Sequence, residues 1–262
     1  MGRLNDMEWN PENKETYTYT NIGPEDWKKE LEKLGGKRCK VEFIYIKKNF
    51  DPYTVIINPY GEVYPEHNVG KLESLTKVLS YVNSGGIFIN ISGIPFYYAF
   101  SLALKRRVDL ALRESPHAYK AYGDVLIPEF KYPLFTSTPL TKELDLMIFN
   151  LERGTGAFNW DLKPSNEFKE IFPEIKGTKV HRAARVEKNV KPVVDSQVYL
   201  KGIPFREGSV TPIFYLISGE GSFLFSLIFL DQQPKDVQDK LKQSICKLIL
   251  NYKLIEEKKR LI

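Results

Sequence analysis

Cysteine is scarce: the 262 residues hold two, Cys39 and Cys246, which are too few for a disulfide framework and lack the spacing of a metal site. A reducing compartment follows, and a cytoplasmic location is expected. Histidine is nearly as rare. His67, His117 and His181 form no paired zinc spacing, so neither a metal nor a cofactor is expected. No apolar run reaches the roughly 20 residues of a membrane span. Ile94 to Leu104 is stopped by Lys105-Arg106-Arg107, and Pro212 to Leu230 is split by Ser218-Gly219-Glu220-Gly221-Ser222. The polar start, with Asp6, Glu8, Glu12 and Glu15, lacks the basic and apolar segments of a signal peptide. No membrane partner is expected.

An excess of one charge is also missing. Against 38 Lys and Arg stand 33 Asp and Glu, whereas a nucleic-acid footprint needs cations gathered on one face. Lys105-Arg106-Arg107 with Arg113, Arg182 with Arg185, and Lys258-Lys259-Arg260 are scattered along the chain, so nucleic acid is not an expected partner.

What is present is the balance of a globular chain, 42% hydrophobic and 27% charged. Thr16 to Thr20 reads as a β-prone run. Pro24-Glu25-Asp26 opens an amphipathic helix carrying Trp27, Leu31 and Leu34, and Gly35-Gly36 closes it. Val41 to Ile46 and Thr54 to Ile57 read as strands, the second without alternation and so covered on both faces. Leu72, Leu75, Leu79 and Val82 mark a helix over 69–83, stopped by Gly85-Gly86. Ile87 to Ile91 is another strand of the buried type, and Phe96 to Arg113 reads as a helix. Strands alternating with helices imply crossovers and a parallel sheet.

Residues 114–211 lose that rhythm among eight prolines from Pro116 to Pro204 and read as elaboration on the sheet. Pro212 to Ile217 and Ser222 to Leu230 make a hairpin, and a last helix starts at Pro234. The expected fold class is α/β, a flavodoxin-like three-layer sandwich with a mostly parallel central sheet and an elaborated middle segment. An N-terminal arm, 1–15, precedes a single domain, 16–262.

The order strand, Pro59-Tyr60-Gly61-Glu62, helix, Gly85-Gly86, strand, Ser92-Gly93-Ile94-Pro95-Phe96, and later Gly219-Glu220-Gly221 before the final strand and helix, resembles the class I glutamine amidotransferase-like superfamily. The likeness is to its ThuA-like and catalytically degenerate branches, over about residues 16 to 113 and 212 to 252. Catalytic members place a nucleophile with small flanks on a strained strand-to-helix turn. Here that turn is Asn90-Ile91-Ser92-Gly93-Ile94, with no cysteine and with bulky flanks, and the late His-x-Glu of the superfamily has no match. The resemblance therefore implies the fold without the chemistry.

In open parallel sheets ligands bind beyond the carboxyl ends of the strands. Two loops leave that edge, 58–67 and 90–98. The expected ligand-binding residues are Tyr60, Gly61, Glu62, Tyr64, Ser92, Gly93, Phe96 and Tyr97, an aromatic and polar set that suits a sugar ring. Catalytic candidates are Glu62 and His67 as general bases and Ser92 as a nucleophile. Each also has a structural reading: Glu62 as a hydrogen-bond acceptor for its loop, His67 as a solvated loop residue, Ser92 as a turn residue.

Two functions are carried forward. One is a non-catalytic amidotransferase-like domain that binds a small polar ligand, a carbohydrate by its resemblance, or a protein partner, with a homo-oligomer expected. The alternative is a hydrolase using Glu62 or His67 as general base, with backbone amides near Ser92-Gly93 as oxyanion donors.

Overall fold

A computed structural model describes residues 2–4, 15–51, 53–114, 135–151, 158–187, 189–195 and 209–251. The fold is mixed α/β, built from several sheets and few helices. Its largest sheet has seven strands in the order Val190–Pro192, Ile213–Ser218, Gly221–Ser226, Ile87–Ile91, Val55–Asn58, Gly2–Leu4, Glu42–Ile44. The last five run parallel, and the first two continue the sheet antiparallel.

Hydrophobic runs without alternation form the centre of this sheet because both of its faces are covered. Val55, Ile57, Ile87, Ile89 and Leu224 pack into one core with Trp27 and Leu31 of helix Pro24–Gly35 and with Leu241 and Ile245 of helix Lys235–Leu250. Ile56, Phe88 and Phe223 face the other way, onto Val78 and Val82 of helix Glu73–Asn83. The first of these helices starts as its sequence requires, with proline in the first turn beside Glu25 and Asp26.

Three expectations are corrected. Thr16 to Thr20 is not a strand; Gly2–Leu4, within the stretch read as an N-terminal arm, takes the place between Val55–Asn58 and Glu42–Ile44. Phe96 to Arg113 is not a helix. Tyr98–Ser101 pairs parallel with Val63–Glu66 and antiparallel with Arg106–Asp109, making a small three-stranded sheet. Phe96 at φ 58° and Lys105 at φ 52° break any helical course, and the aromatic residues between them find strand partners instead. Residues 114–211 contribute more than elaboration on one sheet. Phe135–Ser137, Ile148–Asn150, Arg182–Arg185 and Val210–Thr211 belong to a five-stranded antiparallel sheet that also takes in Leu112–Glu114. Phe158–Pro164, Ile175–Val180 and Val194–Asp195 form a separate three-stranded antiparallel sheet.

The Gly-Glu-Gly hairpin and the last helix stand where the sequence puts them. Among the described residues no helix is long and apolar enough to cross a membrane, and no three His, Cys, Asp or Glu side chains gather as a metal site. His117 and Lys258-Lys259-Arg260 lie outside the described residues.

Candidate functional site

Strands Val55–Asn58 and Ile87–Ile91 are parallel neighbours in register, Asn58 opposite Asn90, so their two loops leave the same edge side by side. The paired asparagines tie them together. Asn58 Nδ2 donates to Asn90 Oδ1 at 2.7 Å and to the Gly61 carbonyl at 3.1 Å, and Asn90 Nδ2 donates to the Gly93 carbonyl at 2.9 Å. Both glycines are required. A Cβ on Gly61, at φ 72°, would lie 2.0 Å from the Thr18 carbonyl oxygen; one on Gly93, at φ 93°, would lie 2.5 Å from Glu62 Cγ.

Glu62 is the hub of this junction. It is 0% exposed, and its Oε1 accepts from the Ile94 amide at 3.1 Å and from Arg182 Nη1 in an ion pair. Its Oε2 has no hydrogen-bond partner among the described residues. Burial pushes the Glu62 carboxyl above the ordinary carboxylate range, against the pull of Arg182, the Ile94 amide and the more distant Arg107.

Arg182 belongs to a strand of the antiparallel sheet, whose Arg182–Arg185 pairs with Ile148–Asn150, so the ion pair joins two sheets. Its Nε donates to Asn150 Oδ1 at 3.2 Å, and its guanidinium lies over Tyr97 at 5.0 Å and over Phe229 at 5.2 Å. The contacts continue outward: Tyr97 to Tyr98 at 4.6 Å, Arg107 over Tyr98 at 4.3 Å, Tyr19 stacked on Phe229 at 3.7 Å. Burial, then the Glu62 charge, pushes the Tyr19 hydroxyl up to about 12; Tyr98 is raised by burial first and by Tyr97 next.

Ser92 sits on the strained turn the resemblance singles out, at φ 66°. Its hydroxyl is fully buried, donates to the Ile228 carbonyl at 3.1 Å and accepts from the Leu230 amide at 3.3 Å. The amides expected as oxyanion donors are also engaged, Gly93 N–H on the Ser226 carbonyl at 3.0 Å and Ile94 N–H on Glu62. No helix starts at Phe96 to supply others.

His67 stands past the end of strand Val63–Glu66, and its amide donates to Glu66 Oε1 at 2.9 Å. Tyr60, Tyr64 and Phe96 are core residues, Tyr64 against Phe96 at 4.5 Å and Phe88 at 5.9 Å. Of the residues expected to line a ligand site, Tyr97 alone borders the half-buried rim, at 5% exposure, with Glu62 directly beneath Arg182. The sequence reading missed Tyr19, Asn150 and Phe229, none of which carries a local signal. Arg182 was visible in a basic pair with Arg185 and on an expected strand with His181, but its partner lies 120 residues away.

No protein-family model matches the chain, and no curated protein matches it. Among solved structures it is similar to a β-galactosidase from Bacillus circulans sp. alkalophilus, at 10% identity and TM-score 0.47 over 85% of this chain and 26% of that one. The mmIFT52 N-terminal domain aligns at 12% identity and TM-score 0.45, over 87% of this chain and 90% of that one. The exo-β-1,4-mannosidase Op5Man5 from Opitutaceae bacterium strain TAV5 aligns at 9% identity and TM-score 0.43, over 95% and 34%. The chain spans about a quarter of the length of the β-galactosidases it matches.

Proposed function

We propose that the chain is a non-catalytic domain of the class I glutamine amidotransferase-like kind, a flavodoxin-like three-layer core whose rim holds a small polar ligand of the saccharide class. One observation carries the non-catalytic part. At the turn where the superfamily keeps its nucleophile, the Ser92 hydroxyl is sealed from solvent and bonded on both sides by backbone, and the neighbouring amides already have acceptors. A serine without an approaching base is a poor nucleophile, and an oxyanion needs donors that are not spent. The same contacts weigh against the hydrolase reading.

The ligand is assigned to the half-buried Tyr19, Tyr98 and Arg182, beside Tyr97, because aromatic faces with polar tips and a planar donor suit a polyhydroxyl ring. A cytoplasmic setting and a homo-oligomer belong to the same proposal; the free thiols Cys39 and Cys246 support the first, and solution mass tests the second.

The experiment is a thermal-shift screen of the whole chain against neutral sugars, nucleotides and amides, backed by calorimetric titration. A ligand that prefers the folded state raises the melting temperature by mass action. A sugar is expected to do so, and Tyr98→Ala to abolish the shift. Silence from every sugar overturns the ligand class. Ester or amide hydrolysis that disappears in Ser92→Ala overturns the non-catalytic assignment.

A further inference from the structure

We propose that the outer strand Glu42–Ile44 docks an extended acidic segment of a partner protein, which adds to the seven-stranded sheet as a further strand. This is independent of the ligand reading and uses none of its residues. The charge of the chain is not spread evenly. Residues 33–48 hold six basic side chains, Lys33, Lys37, Arg38, Lys40, Lys47 and Lys48, against one acid, Glu42. This segment alone carries the formal +5 of the whole chain, and the remainder is balanced. All six are exposed. Lys33 lies in the last turn of helix Pro24–Gly35, Lys37 and Arg38 in the turn Gly36–Arg38, and Lys40 leads into the strand, whereas Lys47 and Lys48 follow it. Cations therefore stand at both ends of one sheet edge.

The one acid is already spent: Glu42 pairs with Lys40 and accepts the Tyr53 hydroxyl at 3.0 Å. The cations beyond the strand are held in place. Lys77 reaches from helix Glu73–Asn83 to donate to the carbonyls of Ile46 and Lys48, and its ammonium lies over the Phe50 ring at 4.3 Å, which fixes the turn carrying Lys47 and Lys48. Tyr45, 56% exposed, stands between the two groups of cations as an aromatic anchor. Glu42–Ile44 is terminal in the sheet order, with no described strand beyond it, and an edge strand offers backbone donors and acceptors to an extended peptide. Lysine on such an edge sets like charge against like when a second copy approaches, and it draws in a strand that carries carboxylates. The occupant is therefore a heterologous acidic peptide rather than this chain. A polynucleotide shares the charge but stacks its bases on successive aromatics, and Tyr45 is the one exposed aromatic of this segment.

The test is fluorescence anisotropy of the full chain with a labelled decapeptide of alternating Glu and Thr, beside its Lys-Thr counterpart and an oligothymidylate of the same length. The Glu peptide is expected to bind, and to weaken about tenfold between about 50 and about 300 mM sodium chloride as exposed charges are screened. The Lys peptide is expected not to bind. Lys47→Glu with Lys48→Glu, and separately Lys37→Glu with Arg38→Glu, reverse two exposed charges at one end of the strand. Each pair is expected to weaken binding about tenfold with the melting temperature nearly unchanged. Amide hydrogen exchange at 42–45 is expected to slow in the complex, with helix Lys235–Leu250 as the unchanged reference. Absence of Glu-peptide binding, unaltered binding by both charge-reversed pairs, or binding that leaves exchange at 42–45 as it was overturns the docked strand. Tighter binding of the oligothymidylate than of the Glu peptide overturns the choice of partner in favour of single-stranded nucleic acid.

Discussion

Glu62 and Glu66 stand at the two ends of one short segment, four residues apart, and both are buried, at 0% and 1% exposure. Their surroundings differ in kind. Glu66 is fully used by backbone: Oε1 accepts from the amides of His67 and Asn68 at 2.9 and 3.3 Å, and Oε2 from the amide of Ser74 at 2.9 Å. Helix Glu73–Asn83 has Leu72 at its N-cap, which offers no side-chain acceptor, so Glu66 supplies one from the neighbouring strand. Glu62 has one crowded oxygen and one bare one, and its main partner is a side chain from another sheet. A buried carboxylate fed by several amides is a structural cap. One fed by a single amide and a distant guanidinium is placed to respond to its surroundings.

The largest expected effect comes from filling the space that Gly61 leaves. Gly61→Ala puts a methyl 2.0 Å from the Thr18 carbonyl oxygen and 2.9 Å from that of Ser92, both backbone, at a φ of 72°. A loss of about 3–5 kcal/mol is expected in urea denaturation, from backbone strain and overpacking together. Gly177→Ala is the control, since it shares a positive φ of 66° but meets nothing within 4 Å. It is expected to cost only about 1 kcal/mol. Equal losses in the two variants would mean that close packing around Glu62 contributes nothing.

The two carboxylates separate directly in a matched pair of substitutions. Glu66→Gln turns an amino group toward amides that need an acceptor and is expected to cost about 2–3 kcal/mol. Glu62→Gln keeps an acceptor for Ile94 but leaves the nearly buried Arg182 guanidinium without its countercharge, with an expected loss of about 3–5 kcal/mol. If both variants lose stability equally in urea titrations, the two buried acids play the same role and the contrast between them fails.

The sequence made visible what depends on local pattern. Val55-Ile56-Ile57 and Ile87 to Ile91 announce themselves as strands covered on two faces, and the Gly219-Glu220-Gly221 turn and the final helix follow from turn chemistry and periodicity. The stretch from Phe96 to Arg113 misleads, because Leu102, Ala103 and Leu104 have helical propensity while the pairing of Tyr98–Ser101 with Val63–Glu66 is a tertiary choice. The rim was legible in part. Glu62 and Ser92 stand out on their loops, and Asn58 and Asn90 bring those loops together as parallel neighbours must. Their local roles, an acceptor for the loop and a turn residue, were legible as well, but their distant partners were not, because Arg182 and Leu230 reach them from 120 and 138 residues away.

The smallest expected effect sharpens the contrast at alkaline pH. Tyr19 borders Glu62 and Tyr215 lies in the central sheet near Glu167, and burial pushes each hydroxyl from 10.0 to about 12. A raised phenol favours the neutral form in the folded chain, so its contribution is complete below pH 10 and lost as pH climbs toward 12. Melting temperature is therefore expected to fall across that window. Tyr19→Phe is expected to make the fall shallower while leaving the value at pH 7 nearly unchanged. The Glu62 charge is the second cause of the Tyr19 shift, so Glu62→Gln is expected to make the alkaline fall shallower and complete it at lower pH on the Tyr19 side alone, with the Tyr215 part intact. Glu66→Gln is expected to lower the whole curve without changing its shape, because Glu66 is spent on amides and is not among the charges acting on Tyr19. A Tyr19→Phe curve parallel to the wild type would place the alkaline loss elsewhere and leave the Glu62 rim no more responsive than the Glu66 cap.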